Sequence, residues 1–514
     1  MARKKLYAAI DVGSHEVQMK IAELNRGEPP RMIENLRRTL AIGADTYTSG
    51  RISQPLLAEC VEVLKGFTGQ LKNYRIGACR TVATSAFREA QNRTLALDQI
   101  KRECDLDIEV LSNSEERYYT IMAAAGLMPD FAGLIQNGTL VVDMGAGSIQ
   151  VTAFDKGSLI FSQNMLLGSL RIKEMLADLE RRAADFAGLL EEYISGDLED
   201  YRLLEPKGTI YKNLIILGGE INCLKRLTGR GADGLKSITG KQFSQIYRQL
   251  LASAPLDLSL ENDIPPEHLP LLLPSVIIIR KFIGFTSADM IHIPNVTLCD
   301  GLLLDFARQK GDFSPGHDQD QDIISACRHL SGRFKTDRKH AEFVENTALL
   351  LFDETRRLHR LNERSRLLLQ VSAILHDTGK YVSMTKHHVR SYQIVSANEI
   401  IGLSKAEQEI VAWTVRFHSG KPGLDDHNFT GLAEPDQLAV AQLAALLRLA
   451  DALDSGHRQK ITKIEASLER EEFVLSVTAG QDIMLELWNL DKKEGLFTEV
   501  YGLKPRIRIR RPQL

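Results

Sequence analysis

Cysteine is scarce and scattered in this sequence: 514 residues contain six, at positions 60, 79, 104, 223, 299 and 327, and no two form a C-x-x-C pair. The pattern excludes a zinc or disulfide framework and suits a reducing compartment, with the thiols as packing residues. Long apolar runs are missing too. No stretch approaches the roughly 18 residues that a membrane helix needs. After the basic start MARKK, only LYAAI precedes Asp11, too little for the apolar core of a secretion signal. A cytoplasmic protein with no membrane partner is the expectation. An excess of one charge sign is also lacking, the net charge being −3. Nothing therefore pulls the whole chain toward DNA, and any anion must be held by local sites.

What is present is an ordinary globular mixture, 44% hydrophobic and 25% charged, long enough for about three or four domains. Its most informative feature is a repeat. LYAAIDVGSHEVQMKIAEL, residues 6–24, has the same plan as TLVVDMGAGSIQVTAF, residues 139–154: Asp11 matches Asp143, Gly13 matches Gly145, Val17 matches Ile149 and Gln18 matches Gln150. Around each copy, strand and helix patterns alternate. A helix is expected at 55–71, a strand near 75–84, a helix at 85–102 and a strand at 107–111. The helix that follows is opened by Ser112 or Ser114, with glutamates in its first turn. The plan restarts with strands at 139–161, helices at 170–196 and a strand-turn at 213–224. A polar linker rich in Gly, Pro and Asp, 308–322, marks a boundary. Beyond it, 322–458 has helical periodicity and 460–514 alternates like strands. The expected fold is α/β, with two duplicated α/β domains at 1–127 and 128–308, an all-α domain at 320–458 and a small α/β cap at 459–514.

A strand ending in Asp-x-Gly puts a carboxylate at the sheet edge, beside backbone N–H groups that can face a phosphate, and that carboxylate can hold a cation or a water. One such turn means little; two aligned copies, with a third glycine turn at Gly218-Gly219-Glu220, say more. The paired turns resemble the phosphate motifs of the actin-like ATPase and sugar kinase superfamily. RTVATSAFREAQN, residues 80–92, resembles a signature of the exopolyphosphatase / guanosine pentaphosphate phosphohydrolase family, and VLSNSEERYY, residues 110–119, resembles its S-G-x-E-E-A segment. The resemblance extends over about residues 5–306 and implies actin-like, ribonuclease H-like domains around a Mg²⁺-dependent cleft. By it, Arg88 binds a phosphoryl group, Glu116, with Glu115 as the less favoured neighbour, acts as general base, and Asp143 holds Mg²⁺. Gly145, Gly147 and Ser148 cradle phosphate, Asp11, Gly13 and Ser14 line the opposite wall, and Gly218 and Gly219 supply the third turn. The sequence departs from the family pattern in five places. Gln150 replaces a glutamate, His15 an asparagine, Glu220 a threonine, Asn113 and Ser114 stand in a segment that usually begins Ser-Gly, and Cys299-Asp300-Gly301 stands for Arg-Glu-Gly.

The helical region carries His340, His376-Asp377, His387-His388, His418 and Asp451. Such side chains on several packed helices can converge on one metal. The H…HD…D order resembles the HD phosphohydrolase superfamily, over about residues 330–458. The resemblance implies a divalent metal of the Mn²⁺, Fe²⁺ or Mg²⁺ kind on His340, His376, Asp377 and Asp451, with His388 and His418 as further ligands and Lys380 near phosphate. At the far end Arg506, Arg508, Arg510 and Arg511 alternate along a strand, as a solvated edge or an extended polyanion track.

Three readings stay open. One is a phosphohydrolase that removes the terminal phosphate of inorganic polyphosphate or guanosine pentaphosphate in the N-terminal cleft. Another makes the HD-type domain the enzyme, acting on a nucleotide, with the cleft as a sensor. The third is a non-catalytic signalling protein, suggested by the neutral Gln150. A homodimer is implied by the resemblance.

Overall fold

The computed structural model describes residues 5–228, 236–253, 255–313, 316–469 and 472–510. The chain divides into two compact units, Met1–Gln319 and Asp320–Leu514.

The first unit is built on two sheets. Strands β1 (Leu6–Val12), β2 (Glu16–Glu23), β3 (Arg31–Thr39), β4 (Ala78–Ala83) and β5 (Ile108–Val110) form one, in the order β3-β2-β1-β4-β5. Strands β6 (Thr139–Met144), β7 (Ile149–Asp155), β8 (Ser158–Met165), β9 (Asn213–Gly218), β10 (Ser237–Thr239) and β11 (Met290–His292) form the other, in the order β10-β11-β9-β6-β7-β8. The two follow one plan. β1 and β6 are both central, each antiparallel to the strand after it and parallel to the strand beyond the helices, β4 or β9. In both, the strands before the glycine turns are buried on both faces, and their unbroken apolar runs suit a sheet with helices on either side. Leu57, Val61, Leu64 and Phe67 of helix Gln54–Tyr74 pack into the first core, and helices Phe186–Leu204 and Leu269–Gly284 into the second.

Two local differences from the sequence reading have physical causes. The helix expected at 85–102 is two, Ser85–Glu89 and Arg93–Cys104, because the Asn92 side chain accepts from the Ile52 N–H and donates to the Ile52 carbonyl at 3.0 and 2.8 Å, turning the chain between them. The last helix of the unit, Leu298–Gln309, lies within the 128–308 segment by sequence but packs on β1, β2 and helix Asn113–Leu127. Asp300 forms a buried ion pair with Lys20 at 2.6 Å, and Asp305 meets Arg80 at 3.4 Å.

In the second unit, helices pack around Glu434–Ala452, which also carries the helices of the cap; residues 320–458 and 459–514 thus form one body. The cap's sheet, β12 (Ile461–Glu469), β13 (Glu472–Ala479) and β14 (Pro505–Arg510), runs β12-β13-β14. Arg506, Arg508 and Arg510 pair with Glu472, Glu469 and Glu465, so these arginines answer the acids of their own sheet. Arg511 and residues 314–315 of the linker lie outside the described residues. No described helix is long and apolar enough to cross a membrane.

A Cβ on Gly301 would overlap the backbone carbonyl of Tyr119, whereas one on Gly126 would meet only a Leu304 methyl at 2.8 Å. Gly301→Ala is therefore expected to cost ~2–4 kcal/mol and Gly126→Ala clearly less; equal chemical-denaturation midpoints for the two variants would contradict this packing.

Candidate functional site

The glycine turns are built alike. In each, the glycine N–H donates to the carbonyl three residues on, Gly13 to Glu16 and Gly145 to Ser148, both at 3.0 Å. A Cβ at either position would lie only 2.7 or 2.8 Å from that same carbonyl, which is why both are glycine. These two amides are thus used inside the turns, and the glycines supply closeness rather than a donor. Asp11 sits opposite Gln18 and Asp143 opposite Gln150 in the strand register. The third turn abuts the second: Gly218 has φ +92°, and a Cβ there would meet Met144 O at 2.5 Å and Asp143 Oδ1 at 3.0 Å.

The three turns face one cavity of ≈ 420 Å³. Asp11, Gly13, Ser14 and Glu116 line it from one half, and Asp143, Gly145, Ser148, Gly218 and Gly219 from the other. Asp11 and Asp143 share this crevice and feel one another. Burial, then Glu116, Glu16 and Asp143, push the Asp11 carboxyl well above its ordinary range; burial and Glu116 raise Asp143 to about 7. Glu220, also in the lining, is raised to about 7 by burial despite hydrogen bonds from Ser275 and Ser169 at 3.0 and 3.3 Å.

Other expected residues stand apart from the cavity. Arg88 donates to Glu116 Oε2 at 3.1 Å and to the Leu111 carbonyl at 2.6 Å, so it orients the glutamate from behind. Glu115 completes the capping box on Ser112. Gly147 is covered by the hydroxyls of Tyr47 and Ser85, and its carbonyl accepts from Arg171 at 2.6 Å. Gln150 accepts from Arg117 at 3.3 Å, outside the lining. His15, the departure in the first turn, also lines the cavity, and residues not foreseen include Glu16, Arg37 and His268. Glu16 shares the period-two face of β2 with Gln18, a signal present in the sequence; Arg37 comes from β3, whose outer edge has no comparable pattern. His15 is lowered to about 4 by burial and then by His268.

The lining fits a hard divalent cation. The carboxylates of Asp11, Glu16, Glu116 and Asp143 all line the cavity, Glu16 and Glu116 paired with Arg37 and Arg88, and Asp11 Oδ1 is buried with no hydrogen-bond partner among the described residues. Crowded acids of this kind are what a divalent cation satisfies.

In the second unit another cluster assembles. His340 Nε2 lies 3.3 Å from Asp451 Oδ1 and 3.7 Å from Asp377 Oδ2; His376 Nε2 lies 3.3 Å from His340 Nε2, 3.6 Å from Asp377 Oδ2 and 3.9 Å from Asp451 Oδ1. The far nitrogens are held: His376 Nδ1 on the Ala373 carbonyl at 2.7 Å, His418 Nδ1 on the Val415 carbonyl at 2.6 Å, His340 Nδ1 on Asp454 at 2.9 Å. A carbonyl only accepts, so the proton of His376 and of His418 sits on Nδ1 and each Nε2 lone pair faces inward, as a metal requires. Burial keeps both rings neutral. Burial opposes a proton on His340 as well, but Asp451 and Asp454 outweigh it and raise that ring to about 9, so the cluster draws in positive charge. On the other side of Asp377 stand His387, 3.5 Å from Oδ1, and His418, 3.9 Å. His387 takes the place expected of its neighbour His388, which turns toward Gly420 because successive helical residues point about 100° apart. Asp454 and His457, the latter stacked on His340 at 3.6 Å, were also unforeseen; both follow Asp451 within six residues.

Residues 20–310 match the model of the Ppx/GppA phosphatase family, and residues 324–494 match that of Ppx/GppA phosphatase, domain III. The chain belongs to the Ppx/GppA phosphatase family. It is 23% identical over 484 residues, 93% of either chain, to a guanosine-5′-triphosphate,3′-diphosphate pyrophosphatase of Aeromonas hydrophila. It is 22% identical to exopolyphosphatase 1 of Mycobacterium bovis over 306 residues, 57% of this chain and 86% of that one. The crystal structure of an exopolyphosphatase from Cytophaga hutchinsonii shares the fold, with a TM-score of 0.53 at 18% identity over 60% of this chain and 99% of that one. Phosphatases are thus the relatives of this Ppx/GppA protein, over the paired sheets and beyond them.

The raised Asp143 gives a pH signature. Its carboxyl titrates near 4 when unfolded and at about 7 when folded, so the stability it contributes is complete below pH ~4 and is lost as pH rises to about 7. With EDTA present, Asp143→Asn is expected to gain ~1–2 kcal/mol over wild type between pH 5 and 7.5 in urea unfolding; parallel profiles would show that the carboxyl is not perturbed.

Proposed function

We propose that the protein is a phosphohydrolase that removes the terminal phosphate of inorganic polyphosphate or guanosine pentaphosphate in the cavity between its two sheets. The observation that carries this reading is the convergence of three glycine turns and four carboxylates on one cavity. Glu116, steadied by Arg88, aligns the attacking water and takes its proton while the terminal anhydride P–O bond breaks and the shortened chain leaves. Ser148, which lines the cavity, would hold the terminal phosphate. Asp11 and Asp143 would hold Mg²⁺, which when bound supplies positive charge to a polyanion in an acidic lining. The need for it follows from charge. The guanidiniums in that lining, Arg37 and Arg226, are paired with Glu16 and Asp263. Gln150, a neutral residue outside the lining, removes no charge from the cavity.

A second reading rests on the inward-facing Nε2 atoms of the other unit: a metal-dependent, HD-type phosphohydrolase acting on nucleotides, with the cavity as a polyphosphate or alarmone sensor. There His340, His376, Asp377 and Asp451 would hold a divalent metal such as Mn²⁺ or Fe²⁺, with His387 and His418 beside a second.

Phosphate release from polyphosphate, guanosine pentaphosphate and a nucleotide panel separates the readings. Glu116→Ala is expected to lower release from the first two by about 10²- to 10⁴-fold while Asp377→Ala leaves it intact. The reverse pattern, with metal lost from Asp377→Ala, selects the second reading, and release from no substrate leaves a ligand-binding signalling protein.

A further inference from the structure

The helix Met484–Lys493 ends inside the second unit's histidine cluster. Its last residue, Lys493, places its ammonium on Oδ2 of Asp451, while Oδ1 of the same carboxylate faces His340 and His376 at 3.3 and 3.9 Å. Asp451 is thus shared between an ammonium and the ring nitrogens. The arrangement is braced. Arg448, one turn before Asp451 and buried, donates to the carbonyls of Phe417 and Gly420 at 2.7 and 3.0 Å and to that of Lys493 at 3.4 Å. One guanidinium therefore ties the end of the 484–493 helix to the segment presenting His418.

The other carboxylate has the same kind of companion: Lys380 Nζ lies 2.5 Å from Asp377 Oδ2. The remaining acids nearby are occupied, Asp454 by His340 and Asp337 by His457. Both candidate ligand carboxylates thus carry an ammonium. A divalent cation on their oxygens would leave local positive charge in excess, and an anion of matching charge relieves it. Lys493 is suited to follow that anion. Its charge sits on a flexible four-carbon stem with three rotatable donors, while Arg448 holds its backbone carbonyl, so the ammonium can change partner without moving the helix end.

We propose that Lys493 is a counter-ion that changes partner: it neutralises Asp451 until a divalent cation takes that carboxylate, and then turns to a phosphate dianion, so that cation and phosphate bind with positive coupling. The inference rests on reading the cluster as a divalent-metal centre. Coupling of this kind is reciprocal, each ligand tightening the other by the same factor.

The test is calorimetric titration of the full chain with Mn²⁺, with and without inorganic phosphate, following the binding event that His376→Ala removes. In the wild type, phosphate is expected to tighten Mn²⁺ by about tenfold, within the usual span of coupled sites. Lys493→Met, checked for unchanged circular dichroism, is expected to bind Mn²⁺ more tightly than wild type without phosphate and to lose the coupling; Lys493→Arg is expected to keep it. Wild-type affinity and coupling in Lys493→Met overturn the proposal, as does weaker Mn²⁺ binding in that variant, which would make Lys493 a brace for Asp451. If His376→Ala binds Mn²⁺ as wild type does, the metal reading itself fails, and that outcome is separate from the behaviour of Lys493.

Discussion

Repulsion between carboxylates that cannot move apart governs the first unit. Asp11 and Asp143 end the central strands of two sheets built to one plan, and Glu116 faces both. The sheets fix their positions through register: each aspartate sits opposite a glutamine on the next strand, and each turn is closed by a glycine whose Cβ would strike its own loop. Rigid strands therefore hold like charges together in partial burial, an arrangement that costs free energy unless protons or cations share the site. That cost disposes the cavity toward positive charge, which would relieve the repulsion among its acids.

The histidine cluster solves a related problem by other means. The imidazoles of His376 and His418, pushed toward the neutral form by burial, do not repel as carboxylates do, so their direction is what has to be controlled. Backbone carbonyls three residues earlier hold the Nδ1 protons of His376 and His418, and Asp454 holds the outer nitrogen of His340. Helix geometry thus fixes which nitrogen looks inward before any ligand binds. A single carboxylate, Asp377, looks both ways, with Oδ2 toward His340 and His376 and Oδ1 toward His387 and His418.

Much of this was legible in the sequence because it rests on local rules. The duplicated Asp-x-Gly turns, the strand-helix alternation and the order His340, His376-Asp377, Asp451 are short patterns with physical meaning, and the structure brings their residues together. What was not legible depends on distant packing. Nothing near Arg37 or His268 announces that a strand edge and a short helical turn will face the same cavity, and helical phase, which a residue count alone does not settle, separates His387 from His388. Arg88 and Gly147 were assigned from resemblance to motifs, but here the neighbours Glu116 and Tyr47 decide where those residues sit.

The helix Leu298–Gln309 has a consequence for how the protein is made. It covers β1 and β2 although 280 residues separate Lys20 from its partner Asp300. During synthesis, then, the first sheet emerges with that face uncovered and stays so while the whole second sheet is translated. Its completion waits on a contact of very long sequence range, the kind that slows folding, and apolar surface left open in the meantime is what makes folding intermediates prone to aggregate.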